Sequence, residues 1–127
     1  MANWSLNITL STPGQNIAFT SPATASGELK IVDEPLPTNS TNLLINGAVR
    51  ASGIKQILIV STVACVLKTN TTSGDQVINL LANDPIYWDI NKPNGRTNPI
   101  TADVTKFYAT NTTAGTITIL ALYDPTP

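Results

Sequence analysis

The chain has no histidine and a single cysteine, Cys65. The first absence removes the imidazole base that most nucleophilic catalysis relies on, together with the usual zinc ligand sets; the second removes any internal disulfide framework. Charge is scarce as well, on 12% of the 127 residues, with a formal net charge of −1. Binding nucleic acid by counterion release needs clustered Lys and Arg, whereas the seven here are scattered between Lys30 and Lys106, Lys92 and Arg96 being the nearest approach to a patch. No nucleic-acid partner is expected. The longest apolar run, Ile57 to Leu67, is about half of the roughly 20 residues a membrane span requires and is interrupted by Ser61 and Thr62. The start, "MANWSLNITLS", has neither the basic residues nor the apolar stretch of a secretory leader, so the expectation is a chain made in the cytoplasm that does not enter membranes.

What the chain does have is Thr and Asn, 19 and 13 of them, and these hydroxyls and amides must make up much of its surface. No convincing helical period occurs. Trp4, Leu6, Ile8 and Leu10 alternate with Asn3, Ser5, Asn7 and Thr9, the pattern of a half-buried strand. Residues 11–40 carry Pro13, Pro22, Pro35 and Pro37 and few large apolar side chains; central-strand positions are excluded there, and the segment reads as an extended arm or loop region. From Thr41 onward strands are expected at about 42–51, 54–68, 75–82, 85–90, 103–110 and 116–123, with Gly, Pro and Asn turns between them. One domain of this length can bury a real core without staples. The expectation is a single all-β domain over 1–127, an antiparallel β-sandwich of seven or eight strands, jelly-roll-like or immunoglobulin-like.

A six-residue phrase occurs twice, "TNTTSG" from Thr69 and "TNTTAG" from Thr110. Each copy sits between two β-branched apolar runs, with Asn tolerating positive φ and Gly supplying it, so Asn70, Gly74, Asn111 and Gly115 are expected to build two equivalent hairpin turns.

The run "IKQILIVSTVACVLK" is apolar on both faces: Ile57, Ile59, Val63, Cys65 and Leu67 on one, Leu58, Val60, Ala64 and Val66 on the other. Either a break near Ser61 and Thr62 makes two strands, or a subunit interface covers the second face, with Lys55 and Lys68 as gatekeepers. Cys65 within it reads as a small buried thiol. In "PIYWD", Tyr87 and Trp88 must point to opposite faces of a strand. Trp88 then fits the core and Tyr87 its rim, or an outward ring serves as an oligomer anchor or as a sugar-stacking platform beside Asp89, Asn91 and Arg96. Ile57, Leu58, Val60, Tyr87 and Trp88 are the candidate interface residues.

Chemistry-bearing constellations are few. Asp84, Asp89 and Asp103 could supply a carboxylate pair for glycoside hydrolysis, but Asp84 before Pro85 and Asp103 before a strand are ordinary turn residues. "DINKPNG" begins like a calcium loop and then departs from it, with Pro93 at the fifth position, Gly95 one place late and no twelfth-position glutamate. No catalytic, metal-binding or cofactor-binding residue is assigned.

The segment "VINLLANDPIYWDINKPNGRTNPITADVTKFYATNTTAGTITILALYD", Val77 to Asp124, resembles small all-β accessory proteins of tailed-bacteriophage virions, particularly capsid decoration or cement proteins. The likeness lies in its Thr/Asn-rich, charge-poor texture rather than in a diagnostic position, so no functional residue is carried over. The resemblance implies a non-catalytic sandwich, often a homotrimer, that sits on the capsid surface and reinforces a shell of major capsid protein. The alternatives are a carbohydrate-binding or receptor-binding module of a tail appendage, with a glycan as ligand, and a tail or neck structural protein.

Overall fold

Alternating apolar and polar positions become ten strands in the structure, a computed structural model describing residues 1–127: β1 (Ala2–Thr12), β2 (Gln15–Ala25), β3 (Gly27–Leu36), β4 (Leu43–Val49), β5 (Ile54–Ser61), β6 (Cys65–Thr69), β7 (Val77–Leu80), β8 (Ile86–Asp89), β9 (Val104–Asn111) and β10 (Gly115–Tyr123). Eight of them form two antiparallel four-stranded sheets, β3-β10-β5-β8 and β4-β9-β6-β7; β1 and β2 pair only with each other. Counted from β3, the sandwich orders are first-eighth-third-sixth and second-seventh-fourth-fifth. That is the double Greek key of a jelly roll, and it decides against the immunoglobulin-like alternative. The sandwich holds the eight strands expected at the upper end of the sequence estimate; the hairpin outside it brings the total to ten.

Ile59, Ile117 and Ile119 from the first sheet and Leu67, Phe107 and Ala109 from the second are wholly shielded from solvent and form the centre of the core. The central strands β10, β5, β9 and β6 are flanked on both sides, and β3, β8, β4 and β7 are the edges. Pro35 lies on edge strand β3 and Pro22 in the hairpin, where a missing N–H costs no central ladder bond.

The double-faced run breaks where Ser61 and Thr62 predicted. β5 ends at Ser61, the chain crosses to the other sheet, and β6 starts at Cys65. The inward parity survives the crossing, so Ile57, Ile59, Cys65 and Leu67 are buried while Leu58, Val60 and Val66 face outward and are half-buried. The Ser61 hydroxyl donates to the Val63 carbonyl at 2.6 Å and receives the Val63 N–H at 3.3 Å, which shapes the corner.

The two "TNTT" phrases are not equivalent turns. The first joins β6 to β7 within one sheet, with Asn70 at φ 68° and Gly74 at φ 84°. The second carries the chain from β9 in one sheet to β10 in the other, and neither Asn111 nor Gly115 has positive φ. What the two asparagines share is stapling: Asn70 Nδ2 donates to Asp75 and to the Asp103 carbonyl, both at 2.8 Å, and Asn111 Nδ2 donates to the carbonyls of Pro37 at 2.9 Å and Thr113 at 2.8 Å.

The expected arm over 11–40 divides differently. Residues 27–36 belong to the sandwich as β3, and the appendage is the hairpin 2–25, which includes the Trp4–Leu10 alternation. Its turn is Pro13-Gly14, with Gly14 at φ 84°, between the paired Thr12 and Gln15; positive φ at the second central position after proline is the type II arrangement.

Candidate functional site

Pairing in the β1–β2 hairpin sorts its side chains into two faces. Trp4 lies opposite Ala23, Leu6 opposite Ser21, Ile8 opposite Phe19 and Leu10 opposite Ile17, which makes one face mainly apolar; Asn3, Ser5, Asn7 and Thr9, with Thr20 and Thr24 across from them, make the other mainly polar. No residue from Met1 to Gly27 has a charged side chain.

The proximal half lies with its apolar face on the outer face of the β3-β10-β5-β8 sheet and crosses it from edge to edge. At the β3 side, Trp4 Nε1 donates to Glu28 Oε2 at 2.7 Å. At β5, Gln56 Nε2 donates to the Ser21 carbonyl at 2.7 Å. Past β8, Lys92 Nζ donates to the Thr20 carbonyl at 2.9 Å. The three strand spacings from β3 to β8 amount to ~14 Å, the same distance that four extended residues cover, so Trp4 to Ile8 is the length needed to span the sheet. The four residues from Thr9 to Thr12 then extend beyond the β8 edge, and Ile8 stands at it. Their apolar face has no cover: Ile8 is 37% exposed, Leu10 66%, Ile17 42% and Phe19 65%.

Under the crossing lies a buried polar cluster. Gln56 is 4% and Asp89 1% exposed. Gln56 Nε2 also donates to Asp89 Oδ2 at 2.8 Å, and the Asn91 N–H donates to Asp89 Oδ1 at 2.7 Å. Burial opposes ionisation of Asp89, but hydrogen bonds from Ser21, Gln56 and the Asn91 and Lys92 backbone outweigh it and hold the carboxyl below its ordinary range. Glu28 is also held low, by the Trp4 indole first and then by Lys30.

Where hairpin and β8 edge meet, Leu6, Ile8 and Phe19 face Tyr87, Lys92 and Arg96 across an open groove of about 290 Å³. The Arg96 guanidinium sits 4.6 Å from the Tyr87 ring centre. Neither Lys92 nor Arg96 has a carboxylate partner, the chain's one ion pair being Lys30 with Glu28 at 3.2 Å.

The five candidate interface residues separate accordingly. Ile57, 2% exposed, points into the core, where no partner can reach it. Trp88 packs against the core from β8, and Tyr87 turns outward beneath the hairpin. Leu58 and Val60 lie on the outer face, Leu58 bordering the recess beneath Trp4 and Leu6. Of the sugar-binding set, Asp89 is committed to Gln56 and Asn91, and only Arg96 faces the groove, with Tyr87. The acidic trio is equally engaged: Asp103 Oδ1 accepts the Ala51 N–H at 2.9 Å, and Asp84 is exposed in a turn. In the one Ser-x-x-Lys spacing, Ser52 is exposed in the 3-10 turn Ala51–Gly53, whereas Lys55 lines a recess formed by Pro22–Thr24, Ile90 and Asn91 in which Ser52 has no part. Cys65 is buried, and burial pushes its thiol up.

The free distal face of the hairpin escaped the sequence reading, although Pro13-Gly14 flanked by alternation on both sides was its signal. Set beside known protein families, curated proteins and solved structures, the chain matches none of them.

Proposed function

We propose that this chain is a non-catalytic structural protein of a tailed-phage virion, a capsid decoration or cement protein that binds the major capsid protein of an assembled shell and stabilises it. The observation that carries the reading is the hairpin: a charge-free, one-sided apolar element held to a jelly-roll body by three hydrogen bonds, the central one buried, and left uncovered beyond it. An apolar face of this size is a liability for a free monomer and an asset for a protein that works within an assembly. Two of the three aspartates of the acidic trio, Asp89 and Asp103, are spent on backbone and amide partners. Attachment through many weak contacts, made durable by joining several copies, suits such a surface. The resemblance of Val77 to Asp124 to decoration proteins points the same way.

The test is saturable co-sedimentation of the purified chain with expanded, DNA-free phage shells, together with a rise in the temperature at which filled particles release DNA. Absence of binding, or a label confined to tail or neck in intact particles, would overturn the assignment. A second reading, a glycan-binding module, draws on the groove where Phe19 and Tyr87 offer rings beside Lys92, Asn94 and Arg96. A glycan array separates the two, since sugar binding abolished by Tyr87→Ala belongs to the second alone.

A further inference from the structure

The uncovered half of the hairpin and the opposite edge of the same sheet carry complementary features. Beyond β8 the chain presents Ile8, Leu10, Ile17 and Phe19 with the unpaired cations Lys92 and Arg96 beside them. At the far edge, β3 presents Val32, 61% exposed, followed in the bulge by Asp33, exposed and without an ion-pair partner. Between the two, Leu120, Leu58 and Val60 continue the apolar strip outward from the row the hairpin already covers.

We infer that the hairpin of one copy docks on the β3 side of the outer sheet face of a second copy, joining copies head to tail through one repeated contact. Three observations select a second copy as the occupant. The distal hairpin continues an interface already made within the chain, in which Trp4 and Leu6 border an open recess with Leu58 and Leu120, so the same apolar hairpin face meets the same kind of sheet surface. The charges match in sign: Lys92 and Arg96, neither with a carboxylate partner, lie on one side, and Asp33, in the bulge next to Val32, lies on the other. The area also favours it. At ~150–200 Å² per large apolar side chain, the exposed fractions leave on the order of 400 Å² of distal hairpin surface. Two such patches meeting about a twofold axis would bury roughly 800 Å², short of the ~1,200–2,000 Å² of a stable contact. In a head-to-tail ring each copy makes two such contacts, one through its hairpin and one through its sheet, so each copy buries about twice the area it would bury in the twofold dimer.

The contact is made by faces rather than by adding a strand. A bulge opposite Ile117 to Ile119, with Asp33 at φ 51°, and Pro35 just after it interrupt the row of donors along β3. Because the two surfaces are different, the contact is heterologous and closes into a ring when the rotation permits. A membrane surface is a poorer occupant: the hairpin tip, Thr12-Pro13-Gly14-Gln15, is polar, and the hairpin itself offers no cation to anionic lipid.

The contact is independent of what the assembly binds, so its test uses the purified full chain alone. Light scattering and sedimentation across about 1 to 100 µM, where contacts of micromolar strength assemble, should show a closed oligomer. Phe19→Asp with Leu10→Asp should weaken assembly by roughly tenfold or more. Asp33→Lys should do the same from the other side, and Asp33→Lys combined with Lys92→Glu and Arg96→Glu should recover part of the loss. Circular dichroism of each variant verifies that the sandwich is intact. A monomer throughout the range, an oligomer indifferent to both surfaces, or flotation of monomers with neutral phosphatidylcholine vesicles would each overturn the inference. Shell binding by a protein that stays monomeric would overturn it while leaving the decoration reading standing.

Discussion

Gln56 and Asp89 face each other under the hairpin at 2.8 Å, and the same Gln56 nitrogen holds the Ser21 carbonyl at 2.7 Å, so one buried amide ties β5, β8 and β2 together. The hairpin is therefore fixed by polar bonds where it crosses the sheet. Gln56→Ala would leave a carbonyl and a carboxylate without their donor and is expected to cost about 1–3 kcal/mol. Urea unfolding measures the loss, and limited chymotrypsin digestion at Phe19 should accelerate more than this global change accounts for. Cleavage at an unchanged rate would mean that apolar contacts alone hold the hairpin down.

Acid should weaken the protein through Asp89. Its folded carboxyl ionises at lower pH than the same group in the unfolded chain, so the stabilisation is complete above about pH 4 and is lost as pH falls through the lower folded value. The unfolding midpoint of the native chain should fall across that acidic window. Asp89→Asn should start less stable and show a shallower fall.

The two "TNTT" turns should respond differently to the same substitutions. Gly74→Val forces a β-branched residue to positive φ and is expected to cost about 1–3 kcal/mol. Gly115→Val has no such strain, but its Cβ would lie 2.6 Å from Thr62 Oγ1 and 2.8 Å from the Val63 methyls, so its cost comes from overpacking, about 1–3 kcal/mol. Thr71→Ala removes the hydroxyl that accepts the Gly74 N–H at 3.0 Å and should cost roughly 0.5–1.5 kcal/mol. The Thr112 side chain is exposed and makes no hydrogen bond, so Thr112→Ala should stay within about 0.5 kcal/mol. Equal effects at Thr71 and Thr112 in urea unfolding would contradict the difference between the two turns.

Core and hairpin should separate cleanly. Phe107→Ala empties a fully shielded site between the sheets and is expected to cost about 3–5 kcal/mol. Leu10→Ser, on the free distal face, should change the stability of the isolated monomer by no more than about 0.5 kcal/mol.

The strands after Thr41 were legible because their alternation is a local property. The break at Ser61 was legible too, since an ordinary sandwich buries only one face of a strand. The "TNTT" turns misled because identical residues can serve a hairpin or an inter-sheet crossing; which one forms depends on partners far away in sequence. β3 was hidden for a related reason. Its apolar positions, Leu29, Ile31 and Leu36, lose their alternation at the Asp33 bulge, and its only sandwich neighbour in the sheet is β10. In the candidate site, Tyr87 could be read as outward-facing from its parity, whereas Gln56 could not, because a polar residue in an apolar strand gains its meaning only from the hairpin lying over it.

That pairing of β3 with β10 governs how the protein is born. Gly27 registers with Tyr123 and Leu36 with Gly115, so β3 cannot enter its sheet until the whole intervening chain has left the ribosome. The hairpin, made of neighbours in sequence, can form within microseconds of emerging, but the Gln56 and Asp89 side chains that seat it are synthesised later. For most of translation its greasy side has nothing to rest on. A fold so dependent on distant pairings closes slowly, and during that interval a charge-free ribbon has only its prolines and polar tip to keep it from joining its nascent neighbours on the same polysome.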